Sequence, residues 1–218
     1  AYRACLWSRL ANRVLWPLAT LPAAGPEGLY AAVAGVDWPG IFDATCSFAV
    51  DFTGRDPHIR NTRFGAQRSK DAIVDRFAAA NAGRPRVDRV EPDLLINVRL
   101  ARSAVDVALD LSGGSLHRRG YRRSTGSAPL KENLAAAILL RADWPGIAAR
   151  GGALIDPMCG SATLLLEGAM MAADIAPGLA RQRFGFEHLH EHNAQQWQAI
   201  LAEARARAGR YRRERVAA

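Results

Sequence analysis

The sequence predicts an α+β module followed by the opening part of an α/β unit with a parallel sheet. Three observations carry this. Alternating segments with strand character surround one long amphipathic helix through residues 26–112. A polar, basic stretch then follows Ser112-Gly113-Gly114, and the pattern changes to helix, short apolar strand, small-residue turn and helix. That strand–turn–helix succession is how a parallel α/β sheet begins.

In chain order, an amphipathic helix runs through about Leu10, and Val14–Leu18 reads as a strand stopped by Pro17 and Pro22. Gly28 to Val36 reads as a short helix, with Trp38 and Phe42 as apolar anchors after it. Ser47–Phe52 alternates apolar and polar residues, as a strand does. Gly65 to Ala80 is a helix with Ala66, Ile73, Val74 and Phe77 on one face, ended by Ala82-Gly83-Arg84-Pro85. Leu94–Leu100 and Ala104–Leu111 are strands joined tightly by Arg102-Ser103. A basic loop from His117 to Pro129 leads to a helix from about Lys131 to Trp144. Ala153–Ile155 is a short apolar strand, and a helix from about Ala162 to Ala173 is closed by Pro177-Gly178. Asn193 to Ala218 reads as a long charged helix, basic toward its end. The expected division is an N-terminal remnant over 1–25, a module over 26–112 and an α/β segment over 113–218.

Composition narrows the function classes. Among 218 residues, 29 Lys and Arg against 21 Asp and Glu give a net charge of +8. Only Lys70 and Lys131 are lysines, so the excess is arginine, whose planar fork matches phosphate oxygens. A high-GC coding bias equally explains the preference for Arg over Lys, but not the net charge, which points to a polyanionic partner. Cys5, Cys46 and Cys159 are scattered and odd in number, which fits a reducing cytoplasm better than a disulfide framework. No apolar run is long enough to span a bilayer. The start, Ala1-Tyr2-Arg3-Ala4-Cys5-Leu6-Trp7, reads as a cut inside a longer protein and not as a signal peptide.

The chemistry concentrates at Asp156-Pro157-Met158-Cys159-Gly160-Ser161-Ala162-Thr163. A strand ending in Asp, then a small-residue turn and a helix, is a nucleotide-cofactor geometry in which the backbone approaches the ligand closely. Neither Gly-x-Gly-x-x-Gly nor Gly-Lys-Ser/Thr is present, and an Asp at the strand tip suits a cationic ligand better than phosphate. S-adenosylmethionine carries an amine and a sulfonium. An ordinary strand–turn–helix crossover is the competing reading.

This loop resembles motif I of RNA amino-methyltransferases. Upstream, Leu116-His117-Arg118-Arg119-Gly120-Tyr121-Arg122 and then Ala128-Pro129-Leu130-Lys131-Glu132-Asn133-Leu134 resemble the family's preceding motif X. Ile59-Arg60-Asn61-Thr62-Arg63-Phe64-Gly65-Ala66, with Lys70-Asp71-Ala72-Ile73, resembles the THUMP domain, an RNA-binding module. This order is that of THUMP-containing methyltransferases, and most nearly of those that modify guanine N2 in large-subunit ribosomal RNA.

The resemblance implies an α+β THUMP domain followed by the incomplete start of an α/β Rossmann-like, S-adenosylmethionine-dependent methyltransferase domain. The residues at 1–25 would be the end of a ferredoxin-like segment, and the substrate 23S ribosomal RNA. Cofactor binding falls to Asp156, Pro157, Met158, Cys159, Gly160, Ser161 and Thr163, with Ala128, Pro129, Leu130 and Lys131 from motif X. RNA contact falls to Arg60, Arg63, Arg68, Lys70, Arg119 and Arg122, although Arg119 and Tyr121 equally fit a role bracing the cofactor pocket. The family's catalytic Asn-Pro-Pro-Tyr is absent, so no catalytic residue is assigned and the chain alone is expected to be inactive. A non-enzymatic RNA-binding module, or a transfer-RNA or DNA amino-methyltransferase of the same superfamily, are the alternatives.

Five further positions or groups carry expectations. The family has Gly where this chain has Ala162, which is neutral if that position is already helical. Cys159 lacks a recognisable base nearby and reads as packing beside the cofactor. His188, His190 and His192 have no accompanying Cys or carboxylate pattern of a zinc site, so no metal is predicted. Trp144, Trp197 and Phe186 read as core. Of the tail arginines, from Arg205 to Arg215, a solvated face is the expectation.

Overall fold

A computed structural model describes residues 1–55, 57–101, 104–122 and 129–216, with side chains described to residue 208. The elements in chain order are α1 (Tyr2–Trp7), β1 (Leu15–Pro22), α2 (Gly25–Ala34), β2 (Ser47–Gly54), α3 (Thr62–Ala79), β3 (Arg86–Val87), β4 (Leu94–Ala101) and β5 (Ala104–Asp110), then α4 (Glu132–Arg141), α5 (Trp144–Ala149), α6 (Thr163–Ala172) and α7 (Ala194–Val216). They pack as two compact units that are not continuous in sequence. One is residues 14–114 with 183–192; the other is residues 1–13, 115–182 and 193–218.

The first unit is a five-stranded sheet of order β1-β5-β4-β2-β3. β5 runs antiparallel to both of its neighbours, β1 and β4, while β2 lies parallel to β4 and β3. α3 makes the crossover between the parallel strands β2 and β3, as a parallel connection requires. In the β4–β5 pair, Ala101 faces Ala104; the Arg102-Ser103 connection lies outside the described residues.

Pro17 does not stop β1. The strand continues through it to Pro22, with a register shift between Pro17 and Ala19 against β5. β1 is an edge strand, where a residue without an N–H forfeits no ladder bond, and a bulge absorbs the misfit.

The helices bury aliphatic and aromatic side chains against the sheet. Phe42 sits among Trp38, Phe48 and Phe77, at ring-centroid distances of 6.4, 6.3 and 5.1 Å. Trp38 Nε1 donates to Val33 O at 2.8 Å, which satisfies its one polar group inside the core. The strap 183–192 closes the unit: Phe186 N–H donates to Leu111 O, and Phe184 and Phe186 stack at 5.2 Å.

In the second unit α4, α5 and α6 pack on one another. The single helix expected from Lys131 to Trp144 is two helices, because the chain reverses at Asp143, in the left-handed region at φ 53°, and α5 starts with Pro145 in its first turn. A proline there could not have continued α4, since its ring would meet the carbonyl four residues back. Trp144 Nε1 donates to Gly168 O at 2.8 Å, locking α5 to α6. Tyr2 and Trp197 pair at 5.7 Å. Arg207 grips Asp174 through two hydrogen bonds of 2.7 and 2.8 Å and lies 4.0 Å over the Trp7 ring, so this tail arginine is packed and not merely solvated. Trp144, Trp197 and Phe186 are all buried, as core residues.

Residues 153–155 form no ladder among the described residues, and Ile155 is 83% exposed. Strand pairing needs a neighbour, and the expected parallel sheet has none within the described residues of this unit.

Gly65 is where α3 crosses β2. A Cβ there would stand 2.4 Å from the ring of Phe52, which is itself buried. Helix propensity alone favours Ala over Gly by about 1 kcal/mol, whereas forcing a methyl into a packed contact costs about 1–3 kcal/mol. The packing term wins, so Gly65→Ala is expected to lower the urea midpoint of unfolding; a raised midpoint would mean that the ring moves aside freely.

Candidate cofactor site and nucleic-acid interface

The loop 156–162 is shaped by its own short-range bonds. Asp156 Oδ1 accepts the Met158 N–H at 3.1 Å, an Asx turn that reverses the chain after the extended segment. Ala162 N–H donates to Cys159 O at 2.7 Å, and Gly160 sits at φ +50° with open space where a Cβ would be. Pro157, Met158, Cys159, Gly160 and Ser161 are exposed, so the loop presents its backbone to solvent. Met158 and Cys159 are surface groups, and Cys159 Sγ lies 3.9 Å from Gly160 O.

Ala162 corrects the expectation of a first helical turn. It lies at φ 57° and ψ 27°, in the left-handed region, as the residue before α6. An L side chain there costs about 1–2 kcal/mol. The loop must turn sharply into the helix, and this chain meets that demand with a residue carrying a Cβ.

Arg122 joins motif X to motif I. Its Nη2 donates to Leu130 O and to Thr163 Oγ1, each at 3.0 Å, and its Nε donates to Glu132 at 3.1 Å. Ser161 Oγ lies 3.2 Å from Thr163 Oγ1. Leu130, Ser161 and Thr163 are thus brought together, while Lys131 stands at the N-terminus of α4 and Pro129 is exposed. Ala128 lies outside the described residues.

Arg119 is corrected as an RNA contact. Its side chain is 1% exposed and every nitrogen is engaged: Nε with Glu167 at 3.3 Å, Nη1 with Leu116 O at 2.9 Å and Ser8 O at 3.4 Å, and Nη2 with Arg9 O at 2.6 Å. Phosphate cannot reach it. Arg122, with its side chain 15% exposed and bound as above, is likewise a brace for the loop and not a free cation. Tyr121 donates to Glu167 at 3.2 Å, and burial, reinforced by the Glu167 charge, pushes its hydroxyl above its ordinary pKa. Glu167 was not singled out from sequence. Its legible signal is a lone carboxylate in the otherwise apolar run Thr163-Leu164-Leu165-Leu166-Glu167-Gly168.

On the sheet-containing unit, Arg60 and Arg63 are exposed at the start of α3, where Asn61 caps the helix by accepting from the Arg63 N–H at 2.8 Å. Arg60 Nε donates to Pro57 O. Arg68 pairs with Glu27 at 2.7 Å and lies 4.3 Å over the Tyr30 ring, and Lys70 pairs with Asp71 at 2.5 Å. Of these four cations, Arg60 and Arg63 are the freest to meet phosphate. His188 and His190 lie near Asp93 and Asp43, and His192 stacks near Phe186, so the three imidazoles serve different neighbours; no group suited to a metal occurs among the described residues.

Replacing Ala162 by Gly relieves left-handed strain of about 1–2 kcal/mol and returns about 0.4–1 kcal/mol to the unfolded chain. Ala162→Gly should therefore raise the chemical-unfolding midpoint slightly and Ala162→Val lower it. The reverse order would contradict the backbone conformation.

Comparison with known proteins agrees with this geometry. A THUMP domain model matches residues 23–110, and an "RMKL-like, methyltransferase domain" model matches residues 119–216. The ribosomal RNA large subunit methyltransferase K/L of Methylococcus capsulatus is 57% identical over 95% of this chain, and that of Saccharophagus degradans 53% over 94%. The chain spans only 28% and 27% of those relatives' lengths. Among solved structures, SMU.472, a methyltransferase complexed with SAH, aligns with a TM-score of 0.77 at 30% identity, over 94% of this chain and 53% of that one. A Listeria monocytogenes protein described as a predicted N6-adenine-specific DNA methylase aligns at 0.78 and 28% identity, with the same coverage. The chain therefore carries a THUMP domain followed by a segment that matches the RMKL-like methyltransferase domain.

Proposed function

We propose that this chain is the RNA-binding and cofactor-entry part of an S-adenosylmethionine-dependent methyltransferase that acts on guanine N2 of 23S ribosomal RNA in the cytoplasm. The observation that carries the reading is the open loop 156–162, joined through Arg122 to Leu130 and Thr163. The donor set suits the cofactor. Asp156 supplies a carboxylate for a cationic amine, and Gly160, with nothing within 4 Å of where a Cβ would stand, leaves room for a ligand against the backbone. When bound, S-adenosylmethionine supplies a methyl group activated by the sulfonium. Arg122 and Thr163 hold the loop and the start of α6 in place, a positioning role of the kind that fixes reactant geometry. The Asn-Pro-Pro-Tyr of the family does not occur in the 218 residues, so these residues by themselves are expected to bind and not to transfer.

Ribosomal RNA is favoured over DNA or transfer RNA because the relatives named for large-subunit RNA match at 53–57% identity, against 28% for the protein described as a DNA methylase. The three free cysteines support a reducing compartment, and no helix among the described residues is long and apolar enough to cross a membrane.

Two measurements test the reading. Calorimetric titration of the chain with S-adenosylmethionine should show saturable binding that an Asp156→Ala Gly160→Val double variant abolishes; equal affinity in that variant would remove the loop from the site. RNA affinity should fall steeply with salt, as counterion release demands, and Arg60→Glu Arg63→Glu should weaken it at least tenfold. An Arg119→Gln variant that weakened RNA binding without loss of stability would return that residue to the interface.

A further inference from the structure

The exposed ring of Phe64, which follows the exposed Arg60 and Arg63 at the start of α3, points to a stacking platform for one unpaired base of the bound RNA. We propose this as the way the surface selects single-stranded over paired RNA; it rests on the RNA-binding reading above.

Phe64 is 46% exposed, and no other Phe, Tyr or Trp is exposed among the described residues. Its position in α3 explains why. The buried face of the helix is Gly65, Ser69, Ala72, Ile73 and Phe77, and position 64 falls to one side of that row. The next turn on its side is Gln67 and Arg68, at three and four residues' distance.

The surroundings decide the class of partner. Arg55, Arg60, Asn61, Arg63 and Gln67 are exposed, and no other large apolar side chain is exposed between residues 57 and 80. A protein-docking surface clusters apolar groups, whereas here a single ring stands in a cationic, polar field. That combination, positive charge to follow a phosphate backbone and an aromatic face for a base, is the design of single-strand nucleic-acid sites. A paired base within a helix presents no free face to such a ring, but an unpaired one does. Arg60 and Arg63 then neutralise adjoining phosphates; Arg60 Nε is already donated to Pro57 O, which leaves Arg63 the more available of the two.

The test separates stacking from charge by salt dependence. Binding of a single-stranded RNA carrying 2-aminopurine is followed for the chain by fluorescence at several salt concentrations. Phe64→Ala should weaken binding about tenfold, the loss typical of one stacked base, with no change in the salt slope and with loss of 2-aminopurine quenching. Phe64→Tyr, which keeps the ring, should bind as the unaltered chain does. Arg63→Gln should lower the slope by about 0.7, one phosphate contact on a single strand. Duplex RNA should be insensitive to Phe64→Ala. If Phe64→Ala matches the unaltered chain in affinity and quenching while Arg63→Gln weakens it, the platform is refuted and RNA binding stands. If Phe64→Ala instead changes the sedimentation of the protein alone, the ring serves a protein contact and the proposal falls. If the unaltered chain binds no RNA at all, both readings fall together.

Discussion

A guanidinium sealed inside a small helical unit must spend all its N–H groups on nearby acceptors, because an unpaired buried charge costs several kcal/mol. Arg119 does this by reaching four places at once. Its partners are Glu167 on α6, the carbonyl of Leu116 in its own segment, and the carbonyls of Ser8 and Arg9 from the chain start. Three stretches remote in sequence are fastened by one side chain. Tyr121 adds its hydroxyl to the same carboxylate, so the polar cluster extends to the next turn of motif X. Since α6 begins at the end of the loop 156–162, whatever fixes α6 also fixes where Asp156 to Thr163 can lie.

Arg122 performs the neighbouring task nearer the surface. It spans from the Leu130 carbonyl to the Thr163 hydroxyl with Glu132 as counter-charge. The two arginines of one short motif therefore have related jobs at different depths: Arg119 secures the helix and Arg122 secures its first residue. Charge here acts on the protein's own backbone and side chains, so these two arginines are spent inside the unit and add nothing to a free cationic surface.

The cofactor loop shows a local demand met imperfectly. A reversal from extended chain into a helix needs a left-handed residue, which Gly fills without cost and Ala162 does not. Gly65 is the opposite case: its backbone is ordinary helix, and the absence of a side chain is required by the Phe52 ring and not by any torsion. The two positions show that the reason for glycine lies in the turn at one place and in packing at the other.

Periodicity alone located the long helix, the strands around it and the change of regime after Gly114, because the alternation of buried and exposed residues follows directly from helix and strand geometry. The motif order likewise pointed to the THUMP and methyltransferase-like segments that the domain models match. Pro17 was misread, since the effect of a proline depends on whether its strand lies at a sheet edge, and the left-handed turn at Asp143 that divides the helix was not legible from periodicity. Ala162 was assigned to the helix because composition does not reveal the sign of φ. For Arg119 the sequence left RNA contact and a bracing role equally open, since a sequence lists charges without depth. Sequence determined which residue types were present and how they alternate. Tertiary structure alone decided which charges face water and which are consumed inside, because burial depends on partners such as Glu167, Ser8 and Arg9 that are distant along the chain.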